Sequence, residues 1–267
     1  MSAHPSGDPL MQINPPYGFQ EIVPLEKTHR VVLPKERALP AVFRAMNPIP
    51  VSFVEFALAG RDYPLVFVSG DQGKTFLPMA VLGLEAQQNL FIADDAWDPA
   101  VYVPAYVRRY PFCMTRVTVD GREQAERVAC VEKKALNDRG EPLFDDTGNP
   151  LPEWASRQKL LFEYEADLAR TDEMCSRLAA LGLLEPFTMQ ATPAGGQPLA
   201  LAGMYRVNEA KLPELEPAAL QELAKTGILG RVYAHLISLD NFRRLLDRRA
   251  ALARRAAGGR PEGAPLN

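Results

Sequence analysis

The run Tyr63-Pro64-Leu65-Val66-Phe67-Val68-Ser69-Gly70-Asp71-Gln72-Gly73-Lys74-Thr75-Phe76-Leu77-Pro78-Met79-Ala80-Val81-Leu82 separates two fold classes. An apolar strand followed by Gly-Lys-Thr invites a phosphate-loop α/β reading. That loop needs four residues between its first glycine and the Gly-Lys pair, so that successive amides encircle a phosphate. Only Asp71 and Gln72 lie between them here. The residues after the turn are strand-like and contain Pro78, where a helix would have to offer its positive N-terminus to the anion. The run therefore reads as strand, β-turn, strand, and the chain as an antiparallel protein at this point.

Strand signals extend outward on both sides. Ile22 to Leu25 and His29 to Leu33 are short β segments, with Pro24 and Pro34 suited to edges or strand ends. Asn89 to Ala93 is expected to add a third strand to the 63–82 hairpin. Phe112 to Val119 and Arg127 to Glu132 are joined by the turn Asp120-Gly121-Arg122. Ser52 to Ala59 reads as a short amphipathic helix with Phe53, Phe56 and Ala57 on one face.

Past the turn-rich connector at 137–152 the period changes. Leu161, Tyr164, Leu168, Cys175, Leu178 and Leu181 recur at helical spacing between Pro152 and Gly182, which predicts a long helix. Phe187 to Ala191 and Gln197 to Val207 bracket Pro193-Ala194-Gly195-Gly196 as a hairpin. A short helix is expected from Pro217 to Gly227, and Leu229, Val232, Leu236, Leu239 and Leu246 mark a final helical region. The fold class is α+β, with a mainly antiparallel β N-terminal half and a helix–hairpin–helix C-terminal half. Residues 1–18 read as a flexible arm, 19–250 as one domain with a candidate lobe boundary near 137–152, and 251–267 as a flexible tail.

Composition narrows the function. The 267 residues carry 47% hydrophobic and 24% charged side chains with a net charge of -3, as in an ordinary globular protein and unlike a general nucleic-acid binder. The N-terminus has no signal-peptide pattern, and no run approaches the roughly 18 to 20 apolar residues of a membrane span, so the expected location is cytoplasmic. Cys113, Cys130 and Cys175 are too few and too scattered for a disulfide framework or a zinc cluster, and are read as reduced, buried small hydrophobes. His4, His29 and His235 lack metal-ligand spacing. Asp94-Asp95 with Asp98, and Asp145-Asp146 with Asn149, lack the calcium-loop pattern and read as solvated turns. No metal and no cofactor is expected. The arginines at 243, 244, 248, 249, 254, 255 and 260 read as a solvated helix end.

The densest chemical signal lies in Trp97 to Phe112, where Tyr102, Tyr106, Tyr110 and Phe112 surround Arg108 and Arg109. Rings and guanidinium groups together suit a planar, anionic or backbone-rich guest. The tyrosines, four residues apart, equally suit one packed helix face, with Arg108 and Arg109 paired to Asp94, Asp95 or Asp98. On the binding reading Tyr102, Tyr106, Arg108, Arg109 and Tyr110 line a groove for a peptide, amino acid or partner protein, with Tyr205 and His235 completing it. On the alternative reading the protein is an enzyme with His235 as acid or base and an arginine orienting an anionic substrate.

Several stretches are similar to the bacterial SapC-like family: Tyr63 to Phe67, Tyr102 to Phe112, Leu143-Phe144-Asp145, Leu181 to Pro186, Leu201 to Leu212 and Val232 to Leu239. The resemblance runs in order from about Phe19 to Arg248. It implies association with a bacterial surface layer by the family's name, and an accessory role in peptide or amino-acid handling by the company its relatives keep. It brings no catalytic residues with it.

Overall fold

The computed structural model of the protein describes residues 11–34, 40–93, 96–191 and 198–256. The strands in chain order are β1 (Met11–Ile13), β2 (Ile22–Pro24), β3 (Arg30–Val31), β4 (Ile49–Pro50), β5 (Leu65–Val68), β6 (Leu77–Ala80), β7 (Ile92–Ala93), β8 (Ala96–Trp97), β9 (Phe112–Val119), β10 (Arg122–Glu132), β11 (Glu141–Pro142), β12 (Leu184–Ala191) and β13 (Leu199–Val207). The α-helices are α1 (Phe56–Ala59), α2 (Ala105–Arg108), α3 (Pro152–Ala180), α4 (Pro217–Lys225), α5 (Ile228–Ser238) and α6 (Asn241–Ala256). The sheets are antiparallel and the class is α+β. The described residues fall into two compact units, each made of two stretches of chain: Met1–Phe43 with Ala105–Ala166, and Arg44–Pro104 with Asp167–Asn267. The 137–152 connector lies within the first unit, and α3 contributes to both.

In the first unit a four-stranded sheet runs in the order β1-β9-β10-β2. Its long hairpin forms because Asp120 and Gly121 both accept positive φ, 49° and 76°, the twist that joins two right-handed strands tightly. Cys113 pairs with Cys130 across it; both are buried free thiols, pushed up to about 12 and about 11 by burial, which leaves them unreactive. One face of the sheet supplies Phe112 and Val131 to a core shared with Val31, Leu143, Trp154 and Leu161. Trp154 and Leu161 are the inward positions of α3, and the Phe112 and Trp154 rings sit 4.9 Å apart.

Beside this core β3 and β11 form a two-stranded ribbon, and Gly140 passes so close to Val31 that a Cβ there would lie 2.6 to 2.8 Å from three main-chain atoms. Gly140→Ala is expected to lower stability by about 1–3 kcal/mol, because backbone cannot step aside as a side-chain tip can. Urea unfolding at neutral pH checks this.

The second unit holds a five-stranded sheet, β12-β13-β5-β6-β4. The turn between β5 and β6 is built by Asp71. Its carboxylate accepts from the Thr75 and Lys74 amides and from the Ser69 and Thr75 hydroxyls, and these bonds hold it down at about 2. The amides of the Gly-Lys-Thr segment are thus turned onto side chains of the same loop, Gly73 onto Ser69 and Lys74 and Thr75 onto Asp71. The expected third strand does not extend this hairpin. The other edge of β6 is taken by β4, while Ile92–Ala93 pairs with Ala96–Trp97 as a separate ribbon. The hairpin of β12 and β13 forms as expected, but its Pro193 to Gly196 turn lies outside the described residues.

Residue chemistry at the start of α1 holds that end of the unit. Ser52 directs its amide and hydroxyl to Glu55, Phe53 donates its amide to Thr171 and Val54 to Asp167. Asp167 and Thr171 are polar members of the buried stripe of α3, which apolar periodicity alone passes over. Two of the α6 arginines are anchored in the same unit: Arg248 meets Asp98 at 2.7 Å and stacks over Phe91, and Arg249 meets Glu85 at 2.6 Å. These two stitch the middle of the helix down, while Arg243, Arg254 and Arg255 are exposed, as expected of a solvated helix end. Arg260 and the rest of 257–267 lie outside the described residues, as do 1–10 of the arm.

Candidate functional site

The segment richest in rings and arginines forms one helical turn, and that turn sorts its side chains. Because α2 spans Ala105–Arg108 alone, Tyr102 precedes it and belongs to the second unit, where its hydroxyl donates to Glu55 and its amide to Asp62. Neighbouring residues on a helix point about 100° apart, so Arg108 and Arg109 cannot share a face. Arg108 is exposed; Arg109 is 5% exposed.

Arg109 lies among aromatic faces, 4.2 Å from the Tyr106 ring centroid, 4.8 Å from Tyr164 and 5.5 Å from Phe19. Glu165 approaches it at 3.9 Å and also pairs with Arg127. Burial pushes the Glu165 carboxyl up, and the two cations partly pull it back. Tyr106 is buried with its hydroxyl donating to the Tyr17 carbonyl at 2.5 Å, and Tyr110 packs between Phe19 and Phe43, its phenol pushed up to about 12 by burial. Tyr106, Arg109 and Tyr110 are therefore interior groups of the first unit. Of the acids expected to meet the two arginines, Asp98 pairs with Arg248, and Asp94 and Asp95 lie outside the described residues.

Arg108 lines an open groove of about 860 Å³ against the first turns of α3. Glu153, Ser156, Arg157, Lys159 and Glu163 give that wall its polar groups, with Leu160 between them. Two opposite-charge pairs sit one helical turn apart, the spacing at which Cβ atoms come within about 6 Å. Lys159 and Glu163 close their ion pair at 3.8 Å, while Glu153 and Arg157 do not close theirs. Arg157 is half-buried and makes neither an ion pair nor a hydrogen bond among the described residues. Sequence periodicity marked this stretch of α3 only by its apolar side; the alternation of Glu153, Arg157 and Glu163 on the outer side was its available signal.

Tyr205 and His235 belong to the second unit. Tyr205 is half-buried on β13, its ring edge-on to Phe76 at 5.0 Å. His235 is fully buried on the inner stripe of α5 with Ile228, Val232 and Ser238. It sits where β5 and β13 part: Nε2 accepts the Val207 amide at 3.0 Å and Nδ1 donates to the Leu65 carbonyl at 2.9 Å. Ser238 receives the Leu65 amide, and Asn241 donates to the carbonyls of Gly60 and Tyr63. His235 and Ser238 thus replace sheet hydrogen bonds that the diverging strands cannot make, and Asn241 satisfies carbonyls of the segment leading into β5. Burial, together with the charge of Arg206, lowers the imidazole to about 4 against the pull of the Leu65 hydrogen bond, so it is neutral at pH 7.

No helix among the described residues is long and apolar enough to cross a membrane. Antiparallel sheets, a long helix carrying a charged groove and a polar-cored helical end characterise this α+β protein. A family model described as SapC matches residues 26–245, and the chain belongs to the SapC family. No curated protein and no solved structure matches it.

Proposed function

We propose that this SapC-family chain is a non-catalytic binding or accessory protein that holds an amino acid, a peptide or the carboxylate of a partner protein in the groove between Arg108 and the first turns of α3. The supporting observation is Arg157. Its guanidinium is half-buried and has no closed ion pair, and burial lowers its hold on its proton despite Glu153. A cation already stripped of part of its water loses little more on meeting a carboxylate, and the fixed fork of donors suits that guest. Arg108 brings a second guanidinium to the same hollow. Tyr106, Arg109 and Tyr110 act beneath it by holding α2 in place.

The enzyme reading draws less support, since both nitrogens of His235 are engaged by main chain inside the core. Cytoplasmic residence and the surface-layer association implied by the family name are the two settings open to a binding role, and fractionation of the source cells separates them.

Calorimetric titration with the common amino acids and with trialanine tests the groove. Arg157→Gln is expected to weaken the best ligand by about tenfold or more, the worth of one charged hydrogen bond, with the melting temperature of the free protein unchanged. Equal affinity in the variant sinks the assignment.

A further inference from the structure

Resting on that reading, we infer that the groove selects ligands carrying a free ammonium as well as the carboxylate, with Glu153 receiving the ammonium and Arg157 and Arg108 the carboxylate. The geometry sets up both poles at once. Glu153 and Arg157 stand one turn apart on α3, at the spacing where helix ion pairs ordinarily form, yet they do not form one. Six residues further along the same helix, Lys159 and Glu163 have that spacing and do close. An open pair of opposite charges facing a hollow is complementary to a zwitterion: each pole of the guest meets its opposite, and neither protein charge need be separated from an established partner. A purely anionic guest would instead bring its charge close to Glu153 and Glu163 in the same wall, an arrangement that disfavours it. Ser156, between the two poles on the helix, offers a hydroxyl to either. Leu160 gives an apolar surface for a short side chain.

The experiment is calorimetric titration of the whole chain with trialanine, with N-acetyl-trialanine and with trialanine amide. Free trialanine is expected to bind, and each blocked form to bind at least about tenfold more weakly, as loss of one charged contact implies. Glu153→Gln is expected to weaken free trialanine by a similar factor while leaving N-acetyl-trialanine unaffected, because the acetyl group has already removed the partner of that carboxylate. The variant's melting temperature should stay that of the parent, which a merely structural role for Glu153 would not allow. If the acetylated peptide binds as tightly as the free one, the ammonium pole is overturned and the carboxylate groove stands. If the amide binds as tightly as the free acid, the carboxylate groove itself falls. If no form binds, both fall.

Discussion

Replacing Arg109 with alanine is expected to destabilise the free protein by about 3–5 kcal/mol, the range seen when one partner of a buried ion pair is removed. In a chain of this size that is a fall of roughly ten degrees in melting temperature. Two losses combine. The plate packed among Tyr106, Tyr164 and Phe19 disappears and leaves a hole in the first unit. Glu165 keeps Arg127 but loses its buried neighbour, in a place where dehydration already raises its carboxyl. The sign with pH follows. The folded carboxyl holds its proton to higher pH than the unfolded one, so the folded state binds more protons across that interval. Rising pH through and above the ordinary carboxylate range then erodes stability. The variant should therefore be least impaired in mild acid and progressively more impaired toward neutrality. Arg109→Met, which fills the space and carries no charge, should lose less. Scanning calorimetry at several pH values checks all three statements, and a melting temperature equal to that of the parent would remove Arg109 from the core.

The second large effect is expected at His235. Alanine there opens a cavity beside Phe67 and strands the Leu65 carbonyl and the Val207 amide without partners, each costing about 1–3 kcal/mol. A total near 4 kcal/mol is expected. His235→Phe keeps the ring volume and still strands both groups, so it should recover only part of the loss. The parent should also show a characteristic acid sensitivity. The unfolded histidine takes a proton near its ordinary 6.5, whereas the native one resists until about 4. Between these values the unfolded state binds more protons, so the stability is complete above 6.5 and declines by about 3 kcal/mol as pH falls to 4. Urea titrations at pH 7 and pH 5 measure that slope. His235→Gln should flatten it, and a parent slope identical to the variant's would contradict the buried neutral ring.

Much of the secondary structure was legible because it depends on neighbours in the chain. Asp120-Gly121 is one of the pairs that a tight hairpin favours, and Asp71 can reach its own following amides, so both turns follow from a few consecutive residues. The helix from Pro152 to Ala180 shows its apolar period over many turns. Where the reading and the fold diverge, the deciding partner is remote. Asn89 to Ala93 has strand composition, but β4 already occupies the neighbouring edge of β6. Asp167, Thr171, His235, Ser238 and Asn241 interrupt apolar stripes, and periodicity discounts such residues although they are the ones that satisfy main-chain groups at helix and strand ends.

The candidate site shows the same division. That Trp97 to Phe112 would matter was visible in its composition, but Arg108 and Arg109 are alike as letters. Their fates separate because one helical turn rotates them apart, and because Phe19, Tyr164 and Glu165 converge on Arg109 from other parts of the chain. Sequence by itself determined the local conformations, the α+β class and the membership in a family, since these rest on short-range sterics, on apolar period and on residue order. Tertiary structure alone decided which guanidinium is interior, that the imidazole of His235 bridges two strands, and that Glu153 and Arg157 face a hollow with their charges unjoined. Burial and hydrogen-bond satisfaction are properties of groups brought together in space, and no spacing along the chain encodes them.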